Sequence, residues 1–478
     1  MKLVYNVNAK PKEIGYGRML VFALQQLLAI LAATIAVPAI ISEATGHQMS
    51  ASAALFGAGV GTIVYLLFTK FRSPVFLGSS FAFIGSMLAA FAGGVSASAG
   101  FLGLIIGAVM AGLVYVIIAL VVRVAGVSWI NKLMPAVVIG PTVALIGLSL
   151  AVNAVNDAIG VKLNGDGVRV MNPHAWLCLL CALVTLAVVI ICSVYGKKMA
   201  KMIPFIIGIL AGYGVAAVFT VIGIATKNNV LKIIDFTKFE NMQWYPDFTF
   251  VEAFKGNYNW GDYKSFGSFL AVLAVAYVPV AFVVFAEHIA DHKNLSSIIE
   301  KDLLDDPGLS KTLLGDGVGS AVGAFFGGCP NTTYGESVGC VAISGNASVW
   351  TILTTAVMAI VISFFAPFVT FLSTIPSCVM GGVCISLYGF IAVSGLKMVQ
   401  KVNLEDNGNL FTVSVILITG IGSMVLLIGK IKLTAVACAL ILGILTNLLV
   451  SRSHKNGAET KADAEEKTEE AKETVETK

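Results

Sequence analysis

From residue 19 to residue 450 the chain returns again and again to apolar runs of about twenty residues, the length a helix needs to cross roughly 30 Å of hydrocarbon. Fourteen such runs can be marked, at 19–42, 50–69, 74–92, 99–124, 133–153, 173–195, 202–224, 267–290, 311–327, 328–345, 347–372, 376–400, 409–428 and 432–452. With 57% hydrophobic and only 12% charged residues, the composition excludes an ordinary soluble domain. The expectation is an all-α polytopic membrane protein with 14 transmembrane segments in a lipid bilayer. The first run lacks a clear small-residue cleavage site after it and reads as a retained span, not a signal peptide.

Loop charges orient the spans, because Lys and Arg concentrate in cytoplasmic loops. Lys10, Lys12 and Arg18 precede span 1. Lys70 with Arg72, Arg123 with Lys132, Lys197, Lys293 with Lys301 and Lys311, Lys397 with Lys401, and Arg452 with Lys455 follow spans 2, 4, 6, 8, 12 and 14. The exits "SEATGHQMS", "GGVSASAG" and "LSTIPS" carry no Lys or Arg. The longer loop 225–266 carries several Lys, but long loops cross largely regardless of charge. Both termini are therefore expected on the cytoplasmic side of the cell membrane, and the net charge of +4 reflects topology, not nucleic-acid binding. Residues 1–18 form the N-terminal segment, and the acidic, Lys- and Thr-rich 453–478 reads as a disordered tail.

Cys178 and Cys181 form a C-x-x-C in "WLCLLCALV", but no second pair stands near them to complete a ligand set, so they read as helix packing. No metal, cofactor or disulfide framework is expected. The glycine runs "GAGVGT" (57–62) and "GDGVGSAVG" (315–323) read as sites of close helix contact; the second lacks the G-K-[ST] ending of a phosphate loop.

Fourteen spans divide into two sevens, and an odd number per half makes the second half enter the membrane inverted. Such repeats place a transport site where interrupted helices meet at mid-membrane. Spans 3 and 10 would then be equivalent, and both are unusual. "SPVFLGSSFAFIGSML" has Pro74, Gly78 and Ser79-Ser80-Phe81; "GGCPNTTYGESVGCVA" has Gly328, Pro330 and Thr332-Thr333-Tyr334. Pro and Gly disfavour a continuous helix, while Thr, Tyr and Phe favour extended backbone. Short extended stretches turning helical halfway are predicted in both, which hydrocarbon tolerates only inside protein or around a polar cavity.

Two acids within the runs are singled out: Glu336 in "YGESVG" of span 10 and Glu287 in "VVFAEHIADHK" of span 8. Ionisable groups there cost at least about 2.5–3.5 kcal/mol and are usually functional. Glu336 lies where span 10 turns helical, so free N–H groups and the positive dipole end favour its ionised form. Glu287, in a continuous helix, has no such help and is the expected proton-binding residue. His288 and Asp291 follow it, either as a relay or at the cytoplasmic rim. Two carboxylates call for N–H donors on the ligand, exposed backbone N–H groups call for acceptors, and Phe81 or Tyr334 calls for a flat face; uracil-like nucleobases supply all three. An inorganic anion has the wrong sign, and no nucleophile–base spacing suggests an enzyme.

At these residues the chain resembles the nucleobase-ascorbate (nucleobase:cation symporter-2) family and, within it, the bacterial uracil permeases. The likeness runs from "LQQLLAILAATIAVP" through "GSSFAFI", "AEHIADH" and "KDLLDDPGLSKTLLGDGVGSAVGAFFGGCPNTTYGESVG" to the end of span 14. The resemblance implies a seven-plus-seven inverted repeat, with a core domain at 19–124 (spans 1–4) and 267–372 (spans 8–11) and a gate domain at 133–224 (spans 5–7) and 376–452 (spans 12–14). It implies proton symport and a homodimer. It makes Glu287 and Glu336 the base-binding acids, with Phe81 and backbone groups at Tyr334 and Gly335 completing the pocket. Ser337, Ser344, Gln26 and Asp291, the last with His292 one place on, depart from the family pattern. The expected function is proton-coupled uptake of uracil or a close pyrimidine by alternating access, with a purine (xanthine or urate) transporter or an anion transporter of the same fold as alternatives.

Overall fold

The structure, a computed structural model, describes residues 3–126, 129, 135–161, 168–197, 199–240, 242, 244–428, 431–433 and 435–450. The expectations for Lys132, Arg452, Lys455 and the tail fall outside the described residues. The chain is mostly helical. In order come α1 (Tyr16–Thr45), α2 (Ala51–Phe68), strand β1 (Leu77–Ser79), α3 (Ile84–Ala90), α4 (Ala97–Ala125), α5 (Ala136–Ser149), α6 (Ala151–Ile159), α7 (Pro173–Tyr195) and α8 (Pro204–Ala225). After the loop come α9 (Phe266–Ile299), α10 (Leu309–Gly327), β2 (Asn331–Thr333), α11 (Gly335–Ser344), α12 (Val349–Ser363), α13 (Ala366–Thr374), α14 (Ser377–Val399) and α15 (Asn407–Ile421).

Among the described residues, eight helical segments are long and apolar enough to cross a membrane: α1, α2, α4, α5 with α6, α7, α8, α9 and α14. The α12–α13 pair, bent by 83°, makes a ninth if counted as one span. The remaining runs of the expected fourteen differ for local reasons. Runs 74–92 and 328–345 open as three-residue strands and carry helices of only 7 and 10 residues. Run 409–428 yields a 15-residue helix, α15, and run 432–452 another short apolar helix, Ala435–Val450. Run 311–327 forms the 19-residue α10, but Lys311, Asp316 and its glycines and serines dilute its apolar character.

The helices pack in two sets. α10 lies against α2 and α4, α9 against α4, and α12 against α1 and α2; α14 lies against α5, α6 and α7, α8 against α7, and α15 against α5. The contact of α2 with α10 is made by the two glycine runs read from sequence. A Cβ on Gly61 would stand 2.7 Å from Gly319 O and 2.6 Å from Asn331 Nδ2, so only a hydrogen fits there. At one edge, Asp306 accepts from Arg72 Nη1 at 2.8 Å and pairs with Lys301 Nζ at 2.7 Å, joining the turn after α2 to the turn before α10. The Lys301 and Arg72 hydrogen bonds hold the Asp306 carboxyl down at about 2. A carboxyl lowered in the fold contributes in full above its unfolded value near 4, so the stabilisation from this clasp is lost progressively as pH falls from about 4 through about 2.

The close contact predicts that Gly61→Ala destabilises the protein by ~1–3 kcal/mol, the usual cost of overpacking. Gly214→Ala on α8, where an added Cβ meets nothing within 4 Å, should leave stability unchanged or slightly raised. Thermal unfolding of the detergent-purified protein checks both; a Gly61→Ala midpoint at or above the parent's contradicts the packing account.

Candidate functional site

The site is built on a two-stranded antiparallel ladder, β1 on β2, with Leu77 opposite Thr333, Gly78 opposite Thr332 and Ser79 opposite Asn331. The pairing continues past both ends: Ser80 N–H donates to Pro330 O at 2.9 Å and Tyr334 N–H to Phe76 O at 3.3 Å. Each strand meets a backbone demand of the other in a place without water. Side chains satisfy part of the rest. Thr62 Oγ1 of α2 accepts the Leu77 N–H at 2.9 Å, and Asn331 Nδ2 donates to Gly57 O at 3.2 Å.

Gly78 is required by the aromatic ring laid over it. A Cβ there would come within 2.3 Å of Tyr334 Cε2. The Tyr334 hydroxyl donates to Ser79 O at 2.9 Å, so the ring is tied back across β1 while the main chain at Tyr334 and Gly335 turns into α11. Tyr334 caps α11 in extended conformation and makes no side-chain capping bond to the first turn. Glu336 sits in that turn. Ser337, one residue on, accepts from Gln26 Nε2 of α1 and from Phe76 N–H at 3.3 Å.

A cavity of about 430 Å³ opens at this point. Phe81, Glu287, Asp291, Tyr334, Gly335 and Glu336 all line it, together with Ser80 and Thr332. From the other packing set come Val143 and Ile146 of α5, Phe205 of α8, and Phe390 and Ile391 of α14. Phe81 meets Tyr388 of α14 edge to face, with ring centroids 5.4 Å apart. Three carboxyls therefore share one small enclosure with an aromatic edge and the open start of a helix. Asp291 Oδ2 accepts from Thr333 Oγ1 at 2.7 Å, so β2 holds that carboxyl directly.

His288 lies elsewhere. At about 100° per residue, Glu287 and Asp291 share one face of α9 while His288 and His292 share the next. His288 Nδ1 is 2.7 Å from Asp316 Oδ2 and Nε2 is 3.0 Å from Thr312 Oγ1, both on α10. His292 Nδ1 donates to His288 O at 2.8 Å, and its Nε2 is 2.7 Å from the Tyr65 hydroxyl. These groups are buried and none lines the cavity. Asp316 was missed by sequence reasoning, which took its glycine run as packing alone; an acid within an apolar run was the available signal. The apolar lining from α5, α8 and α14 was missed too, and nothing in those runs marks it. Among the described residues, no group of three or more His, Cys, Asp or Glu side chains is arranged to hold a metal ion.

A family model described as the permease family matches residues 17–429. The chain is 38% identical over 440 residues to a uracil permease of Bacillus caldolyticus, covering 91% of this chain and 92% of that one. It is 33% identical over 429 residues to a uracil permease of Escherichia coli strain K12, covering 89% and 90%. Among solved structures, the transmembrane domain of a cyanobacterium bicarbonate transporter, BicA, matches with a TM-score of 0.58 at 16% identity over 90% of this chain and 98% of that one. That last likeness is one of fold alone.

The buried Gln26–Ser337 bond ties α1 to the start of α11. Ser337→Ala and Gln26→Ala should each cost ~1–3 kcal/mol by stranding the partner. A double-mutant cycle should return a coupling of about 0.5–3 kcal/mol. Additive losses in unfolding free energy would mean the two side chains do not act as a pair.

Proposed function

Since the chain belongs to this permease family, the nucleobase-ascorbate transporters, we propose that it takes up uracil or a close pyrimidine together with protons across the cytoplasmic membrane by alternating access. It is a multi-pass membrane protein and a transporter, not an enzyme. The observation that carries the specific reading is the convergence of Glu287, Asp291 and Glu336 on one cavity at the open start of α11.

Uracil offers two ring N–H donors and two carbonyl acceptors on a flat, uncharged ring. In the proposed pose the Glu336 and Glu287 carboxylates accept from the N–H groups, main-chain N–H groups at Gly335 and its neighbours donate to a carbonyl, and Phe81 lies against the ring. An anion would meet three carboxyls against Lys201, the single cation among the described residues of the lining, which disfavours the anion reading despite the shared fold. A ligand of about eight heavy atoms at about 1 kcal/mol per atom, below the ceiling of about 1.5 for very small ligands, gains roughly 8 kcal/mol, about micromolar affinity. Glu287 is the proposed proton carrier, with Asp291 beside it and His288 behind it toward Asp316.

The two packing sets support a division into a core domain (19–124 and 267–372) and a gate domain (133–224 and 376–452), the cavity lying between them. The proposal keeps fourteen segments in two inverted sevens, α10, α11 and the short strands included, with both termini cytoplasmic and a homodimer as the working unit. Transport is then movement of the set carrying the carboxyls against the set carrying Phe205 and Phe390.

Uptake into proteoliposomes with a panel of nucleobases, with and without an imposed pH gradient, tests the reading. Uracil should be accumulated only with the gradient, and competition by each base ranks specificity; accumulation indifferent to the gradient would refute the coupling. Glu336→Gln should abolish base binding, and wild-type affinity in that variant would remove Glu336 from the pocket. Glu287→Gln should retain part of the binding yet lose gradient-driven accumulation.

A further inference from the structure

Residues 3–9 precede the family match, which starts at residue 17, yet they are bonded into the fold. The N–H groups of Val4 and Tyr5 both donate to Gly345 O, at 2.8 and 3.1 Å. In return Ala347 N–H donates to Tyr5 O at 3.0 Å and Val349 N–H to Val7 O at 3.2 Å. Ser348 Oγ donates to Ala9 O at 2.7 Å. Tyr5 and Asn346 form a parallel bridge, Val7 and Ala9 are buried, and the Tyr5 ring meets Phe22 of α1 edge to face at 6.1 Å. The segment is a strap laid along 345–349, where α11 ends and α12 begins.

Its position matters because of what α11 is. A ten-residue helix, about 15 Å long, is too short to hold its own conformation. One face of α11 is thinly covered: Gly335 and Ile343 are exposed, and a Cβ on Gly339 would meet nothing within 4 Å. Its start is pinned by the strand ladder and by Ser337. Its end is Gly345, in the left-handed region at φ 68°, and the carbonyl of that residue takes both strap N–H groups. A rod pinned at both ends keeps its axis, and with it the aim of its first-turn N–H groups.

We propose that the strap of residues 3–9 is a positioning element for the substrate site, acting through α11 to fix the aim of Glu336 and of the first turn of that helix. This rests on the proposed function, since it concerns affinity for the same ligand. The test uses full-length protein, with uracil as the probe. Val4→Pro with Tyr5→Pro removes both strap donors. Val4→Ala keeps the N–H and alters only a side chain that is 67% exposed. The double-proline variant should bind uracil roughly tenfold more weakly or worse, because small misplacements of a binding group are costly. Its unfolding midpoint should stay close to the parent's, and Val4→Ala should bind normally. A lowered midpoint with unchanged affinity in the folded fraction would make the strap merely structural and overturn the proposal.

Wild-type hydrogen exchange decides the matter without a variant, and so covers a double-proline protein that fails to fold. Uracil should slow exchange of the Ala347 and Val349 amides, which donate to the strap, several-fold. Unchanged exchange there overturns the proposal. Wild-type protein that binds no nucleobase overturns the functional reading and the proposal with it, whereas wild-type binding with equal affinity in the double-proline variant sinks the proposal alone.

Discussion

Backbone hydrogen bonding in surroundings without water governs this structure. The chain opens two of its apolar runs, 74–92 and 328–345, with extended backbone, which exposes N–H and C=O groups that cost several kcal/mol each if left unpaired. Pairing Leu77–Ser79 with Asn331–Thr333 resolves much of that demand, and Thr62 meets another part of it. From this pairing follow the features that define the cavity. β2 delivers Thr333 to Asp291, the turn after it begins α11 at Gly335, and the residue after β1 and Ser80 is Phe81. Neither strand makes the site alone, because each supplies hydrogen-bond partners to the other.

The strands need a socket, which the glycine runs of α2 and α10 supply. Because those helices touch backbone to backbone at Gly61 and Gly319, the Asn331 side chain can reach Gly57 O between them. A larger residue at Gly61 would meet Asn331 as well as the neighbouring helix, so helix spacing and strand anchoring are one constraint. The same economy appears at Gly78, where the absent side chain is the space occupied by Tyr334.

Several elements were legible in the sequence for simple reasons. Long uninterrupted runs such as 173–195 become single helices, because an apolar segment of that length with neither Gly nor internal Pro has little alternative. Glu287 and Asp291 are four residues apart on a continuous helix, so their common face follows from helical period, and the same period separates His288 from them. Pro74, Gly78, Pro330 and the Thr-Thr-Tyr stretch marked where helices fail. Less could be read where the signal is shared by many positions. Phe205, Ile146 and Phe390 look like any membrane-helix residues, and only tertiary packing turns them toward the cavity. Long helices among the described residues are fewer than the apolar runs because some runs are made of short pieces joined by a bend or a strand. The strap escaped notice because its bonds are made by main chain, which carries no residue signature.

The placement of three carboxyls beside an apolar wall links ligand and proton in the proposed mechanism. Negative charges gathered in one enclosure repel one another, and among the described residues the facing wall of Phe205, Phe390 and Ile391 offers only the exposed Lys201 at its edge to offset them. A ring with two N–H groups satisfies acceptors without adding charge, and a proton removes charge without adding volume. A protonated Glu287 keeps one oxygen to accept a ring N–H and gains an O–H to donate to the adjacent ring carbonyl, so the proton favours the ring and by linkage the ring favours the proton. Coupling of this kind needs no dedicated proton wire. It needs only that the acids stay gathered and correctly aimed while the apolar wall moves past them, which is why the elements holding α9, β2 and α11 together bear on transport as much as the acids themselves.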